Sequence, residues 1–203
     1  SGYGAAILAT RLSAQAHSPE RIAIFERGRE WAPGTFPDRF SDLSVQTRET
    51  IFGPQQKQLQ NPLGLFDVRL NDEVDVLVGS GLGGTSLINA SIALRPSPDV
   101  FWEPEWPSAL HGMEALEPFY ELTELTMDIN RKPGCRTPKV RAQQQVADSL
   151  GYRNERTWLT VALHRAMLDT ESRNRHGVFQ RPCNYCGDCI TGCNIGAKGT
   201  LTT

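Results

Sequence analysis

Asp75-Val-Leu-Val-Gly-Ser-Gly-Leu-Gly-Gly-Thr-Ser-Leu-Ile-Asn-Ala90 carries the first structural signal in this chain. Val74, Val76, Leu77 and Val78 form an apolar run that predicts a short buried strand. Gly79, Gly81, Gly83 and Gly84 follow, and Thr85 to Ala90 predicts the start of a helix. A strand that enters a helix through a glycine-rich turn presents unpaired backbone N–H groups at the positive end of the helix dipole. That arrangement suits a pyrophosphate. A plain tight turn has the same composition, so the stretch needs support from elsewhere.

The support lies at the first residue. Ser1-Gly2-Tyr3-Gly4-Ala5 leads into a small, apolar helical run of Ala6, Ile7, Leu8, Ala9 and Leu12. Gly2 and Ala5 fit the second and third positions of the dinucleotide fingerprint G-x-G-x-x-G/A, provided that a glycine precedes Ser1. Arg21-Ile-Ala-Ile-Phe-Glu26 then predicts a second, parallel strand that ends in an acid. A carboxylate about 20 residues beyond the glycines hydrogen-bonds ribose hydroxyls in such folds. A solvated strand-end carboxylate is the alternative for Glu26, and the upstream glycines favour the ribose role. The fold class that follows is α/β, with a Rossmann-like nucleotide-binding sheet.

Composition sets the outer limits. The chain has 203 residues and a net charge of −2, enough for one sizeable domain and without the basic stripe that nucleic acid requires. No run of 18 apolar residues that would cross a membrane is present. The chain begins within a motif and stops where a new element should start, at Gly196–Thr203, so an internal piece of a longer enzyme is expected. Five cysteines, four of them between Cys183 and Cys193, argue against a secreted disulfide framework and lean toward a reducing compartment.

In chain order, residues 5–16 predict a helix and residues 27–34 a turn. Residues 35–62 are polar and irregular, an excursion or a variable surface loop. Leu65 to Leu70 alternates as a half-buried strand, and Asn71-Asp72 turns it back into the glycine-rich strand as a hairpin or a neighbour. Ile92 to Arg95 predicts a short strand, and Trp102 and Trp106 are expected to pack. Met113 to Met127 predicts an amphipathic helix whose Glu114, Glu117, Glu121 and Glu124 face water. Thr137-Pro138 opens a further helix that ends at Gly151, and Trp158 to Leu163 predicts a strand. Residues 1–95 form the predicted cofactor-binding part, and residues 96–203 continue toward a cap over substrate.

Cys183-Asn-Tyr-Cys186-Gly-Asp-Cys189-Ile-Thr-Gly-Cys193 has the spacing C-x2-C-x2-C-x3-C. Bacterial ferredoxins use this run, although here Asn194 and not proline follows the last cysteine. An iron–sulfur cluster is the first reading, with Cys193 or the distant Cys135 as the fourth ligand. Zinc, a redox disulfide and four plain buried thiols are the alternatives. His17, His111, His164 and His176 read as structural, since none has a spaced partner for nucleophilic catalysis.

Taken together, the chain resembles the glucose–methanol–choline (GMC) oxidoreductases, and among them the cholesterol-oxidase-like branch. The resemblance rests on Ser1 to Ala5, Ile24 to Gly28, Val78 to Ala90 and Cys186 to Lys198. It implies FAD and not NAD(P), because a second glycine-rich turn accompanies the first. It implies that Ser1, Gly2, Gly4 and Ala5 lie against the pyrophosphate and that Glu26 holds the adenosine ribose. Gly81, Gly84, Ser86, Asn89 and Ala90 would line the flavin side. Such enzymes oxidise a CH–OH group of an alcohol or sterol-like substrate and pass electrons to oxygen or a redox carrier. The catalytic histidine of the family lies in a region this chain lacks, so no residue here is assigned to proton abstraction. The cysteine run departs from many sterol oxidases. An NAD(P)-dependent dehydrogenase and an iron–sulfur electron-transfer module are the competing readings.

Overall fold

The computed structural model describes residues 1–15, 22–52, 56–129, 137–153 and 172–201. Cys135, His17, His164 and the strand predicted over Trp158 to Leu163 lie outside them.

The protein is mixed α/β. Helix α1 spans Tyr3–Gln15, and α2 spans Phe40–Val45. Strands β1 (Thr47–Phe52), β2 (Gln56–Leu59), β3 (Phe66–Leu70) and β4 (Val76–Gly79) form a sheet of order β2-β1-β3-β4. β1 runs parallel to β3 and antiparallel to β2, and β3 and β4 pair antiparallel with Val68 opposite Leu77. The predicted hairpin partnership of β3 and β4 is therefore present. Helices α3 (Glu117–Thr126) and α4 (Pro138–Ser149) follow, then a small hairpin of β5 (Ser172–Arg173) and β6 (Phe179–Gln180).

Five expectations change. Residues 35–62 are not irregular, since α2, β1 and β2 fall within them. They escape a hydrophobic pattern because the buried positions of β1 are Glu49 and Thr50, not aliphatic residues. Residues 22–26 are not a strand: they run without a ladder, and Phe25 is 92% exposed. The glycine-rich strand β4 is not buried, because it forms an edge with one neighbour; Val76 and Leu77 stay largely exposed. Thr85 to Ala90 does not open an α-helix. Gly84–Leu87 makes one 3-10 turn instead, entered through Gly83 and Gly84 at positive φ. The strand predicted over Ile92 to Arg95 is reduced to an isolated bridge at Ile92.

Buried Glu49 and Asp67 sit side by side on β1 and β3 and are neutralised by two arginines. Arg27 reaches both carboxylates, at 3.1 Å from Glu49, and Arg48 approaches Glu49 at 3.3 Å. Apolar burial is concentrated nearby, in Trp31, Phe36, Leu65, Phe66, Leu87 and Ile88, with Leu43 against them. Leu87 and Ile88 belong to the 3-10 turn, so the second glycine turn is anchored in the core itself. Each such side chain contributes about 1.5–3 kcal/mol on burial.

Thr137 caps α4 as predicted, its Oγ1 accepting the Val140 N–H, and Gly151 at φ +73 follows the helix end. On α3, Glu117 and Glu124 are not simply solvated. Both pair with Arg95, at 2.6 Å each, which ties the segment after the second turn to this helix.

Candidate functional site

The two glycine turns meet. Ser1 Oγ accepts the Gly83 N–H at 2.9 Å and donates to Glu26 Oε2 at 2.7 Å. A side chain on Gly84 would stand 3.1 Å from Ser1 O and 3.3 Å from Gly2 Cα, so the backbones are in contact there. Asn89 Nδ2 donates to Tyr3 Oη at 3.2 Å, joining the far end of the second turn to the first turn of α1.

Glu26 closes the group. Its Oε1 accepts the Gly28 N–H at 2.8 Å, and its Oε2 takes the Ser1 nitrogen at 2.7 Å as well as the Ser1 hydroxyl. Partial burial pushes the Glu26 pKa up. The Gly28 N–H and the Ser1 donors outweigh it and hold the carboxyl down at about 2. The carboxylate is thus ionised and an acceptor throughout the neutral range.

The glycines differ in what a side chain would meet. Gly28 and Gly81 cross backbone to backbone: a Cβ on Gly28 would lie 2.3 Å from the Gly81 N, and one on Gly81 would strike Trp31 and Leu87. Gly4, by contrast, faces open space, and Gly2 would meet only Gly83 O at 3.8 Å. The first turn of α1 therefore has a free approach to its N–H groups, four of which lack an intrahelical partner in any α-helix.

Several residues of the site were not assigned a role from sequence. Trp31 Nε1 donates to Ser80 O at 3.1 Å, Arg29 stacks over the Trp31 ring, and Leu82 N donates to Arg29 O. Residues 28–31, which read as a plain turn, thus brace the second glycine turn. Tyr3 occupies a fingerprint position open to any residue, and nothing in the motif marks it. Ser80 Oγ and Ser91 Oγ are buried at either end of the second turn without a hydrogen-bond partner among the described residues.

The cysteine loop docks against the same region. Asn194 pairs its side-chain amide with Phe36, accepting from Phe36 N at 2.9 Å and donating to Phe36 O at 3.1 Å. Gly192 lies flat on the Phe36 ring, where a Cβ would come within 2.0 Å. Lys198, 1% exposed, donates to Leu87 O, Asn89 O and Cys189 O. The predicted metal ligands Cys183, Cys186, Cys189 and Cys193 are free thiols. Among the described residues no three His, Cys, Asp or Glu gather closely enough to hold a metal ion. Instead Cys183 Sγ accepts the Tyr185 N–H at 3.4 Å and Cys193 Sγ the Ala197 N–H at 3.3 Å. Burial raises the Cys183 and Cys186 thiols. With no such ligand group among the described residues, the arrangement gives no support to the iron–sulfur expectation.

Of the described histidines, both lie against backbone carbonyls. His111 Nε2 lies 3.1 Å from Trp106 O with its ring against Trp102, and His176 Nε2 lies 2.7 Å from Thr126 O. Trp106 packs on buried Phe101, whereas Trp102 is 63% exposed.

Residues 9–202 match the model of the GMC oxidoreductase family. Over 99% of its length the chain is 26% identical to a cholesterol oxidase of Mycobacterium tuberculosis (strain ATCC 25618 / H37Rv), of which it covers 34%. It is also 26% identical, over 99% of its length, to a cholesterol oxidase of Acinetobacter baumannii, of which it covers 35%. The chain spans about a third of the length of the curated relatives it matches.

Proposed function

The chain belongs to the GMC oxidoreductase family, and from that premise we propose that it supplies the FAD groove of an enzyme that oxidises a CH–OH group. The observation that carries this reading is the Ser1 hydroxyl, which links Glu26 to Gly83 and so holds both glycine turns and the acid in one groove. On this reading residues 1–95 are a Rossmann-like cofactor-binding part and residues 96–203 lead toward a cap over substrate.

The residues fit the group. Ser1, Gly2, Gly4 and Ala5 hold the pyrophosphate at the start of α1, where the open side of Gly4 leaves room for it. Glu26 accepts from the adenosine ribose with lone pairs left over from its three present donors. Gly81, Gly84, Ser86, Asn89 and Ala90 line the flavin side, with Asn89 oriented by Tyr3 and by the Ser91 N–H. Bound there, the flavin supplies the hydride acceptor for the carbon that carries the hydroxyl. Substrates named for the relatives make an alcohol of sterol-like character the first candidate, with oxygen or a redox carrier as the terminal acceptor. No residue of this chain is assigned to proton abstraction.

The test is a visible spectrum of the purified whole protein, with chromatography of the nucleotide released on denaturation. Flavin bands with one FAD per chain are expected, bleached on addition of a sterol-like alcohol under anaerobic conditions. A colourless protein that releases NAD(P), or no nucleotide, would overturn the assignment.

A further inference from the structure

Among the described residues Lys198 is the one buried lysine, 1% exposed, and its ammonium meets three backbone carbonyls. Nζ donates to Leu87 O at 2.9 Å, to Asn89 O at 2.5 Å and to Cys189 O at 2.8 Å. Three N–H donors face three acceptors, and the pairs are 111, 109 and 9 residues apart in sequence. Burying an ammonium is costly, and an apolar side chain of the same length would fill the space without that cost. The charge is therefore explained by the carbonyls it gathers. Burial pushes its pKa down to about 8, and the ammonium form still predominates at pH 7.

The next residue completes a clasp. Tyr3 Oη donates to Gly199 O at 2.9 Å and accepts from Asn89 Nδ2 at 3.2 Å. The short segment from Ala197 to Gly199 thus grips the second glycine turn through Lys198 and the first turn of α1 through Gly199. Gln180 Nε2 holds Ala197 O at 2.9 Å from the other side.

We propose that Lys198 is a positioning residue for the flavin side of the groove: it fixes the Leu87–Asn89 backbone and, with Tyr3, sets the spacing between the two glycine turns. This rests on the FAD reading above. The groups that touch the cofactor remain those of the turns, and Lys198 acts through them. Without its ammonium, two carbonyls of the second turn and one of the cysteine loop lose their shared donor, and Asn89 keeps its side-chain contacts with Tyr3 and the Ser91 N–H but loses the anchor of its backbone carbonyl.

The experiment compares the whole protein with its Lys198→Met and Tyr3→Phe variants. FAD affinity, the visible circular dichroism of the bound flavin and the cooperativity of thermal unfolding are recorded for each. Lys198→Met is expected to bind FAD at least tenfold more weakly and to alter the flavin dichroism, which reports the chiral surroundings of the ring. A lysine with a merely structural role would lower the melting temperature and leave the dichroism of the retained flavin unchanged, and that result overturns the proposal. If Lys198→Met fails to fold, Tyr3→Phe decides: threefold weaker binding with altered dichroism is expected, and unchanged values overturn the proposal. A wild-type protein without FAD removes the underlying reading and this inference together. A wild type that retains FAD beside an indifferent Lys198→Met removes this inference alone.

Discussion

Glu26 ties the two glycine turns together through Ser1, and the proposed ribose contact would fall on the same carboxylate. Its donors hold it ionised down to about pH 2. Because its pKa is lower in the folded chain, its contribution to stability is present above about pH 4.5 and is lost as pH falls toward 2. Glu26→Gln should flatten that part of the acid unfolding curve and weaken FAD binding by about tenfold, or about 1.4 kcal/mol. Titration of FAD into variant and wild type checks the second point. Gly28 offers a contrasting test. A methyl group there meets the Gly81 backbone at 2.3 Å, with no flexible side chain to yield. Gly28→Ala should therefore cost about 3 kcal/mol or more and show as a large fall in melting temperature. Both residues stood in the sequence with a reason attached or within reach. The distance of Glu26 from the first turn marks it in the sequence, while nothing beside Gly28 marks its crossing partner. A contact between residues 28 and 81 leaves no local trace in either stretch.

Elements were legible where their signals were local. The cap of α4 is such a case: Thr137, Pro138 and Gly151 mark its ends, and each does in space what its chemistry suggests. Thr137→Ala should cost about 1 kcal/mol, measurable as a shift in the urea midpoint at constant slope. Strand β1 was not legible, because Glu49, which lies beside Asp67 of β3, takes a place that an alternating pattern would give to an aliphatic residue. The burial of the two carboxylates depends on Arg27, which arrives from another part of the chain, and on Arg48 of β1 itself. The link between the second turn and α3 is also charged. Arg95 is held by Glu124 first and Glu117 second, its own pKa raised and that of Glu124 lowered. These groups stand partly in water, so Arg95→Ala should lower stability slightly at low salt and have no measurable effect at high salt. Melting curves at two ionic strengths distinguish the outcomes.

At the scale of the whole molecule, exposed apolar side chains occur along the described residues, and one set lies on α1 and the segment after it. Ile7, Leu8 and Leu12 on α1 and Ile22, Ile24 and Phe25 after it are all at least 40% exposed. The 203-residue chain, expressed by itself, should bind a hydrophobic dye strongly and self-associate at micromolar concentration. A monodisperse, dye-silent monomer in light scattering would contradict this.

The clasp at Lys198 and Gly199 also has a consequence for biosynthesis. The groove is built from the first residues of the chain, yet the lysine that steadies Asn89 is translated more than a hundred codons after it. Nascent chains arrested upstream of codon 198 carry both glycine turns and lack the bolt between them. On the FAD reading proposed above, ribosome-bound intermediates should therefore remain colourless at least until Lys198 has left the exit tunnel.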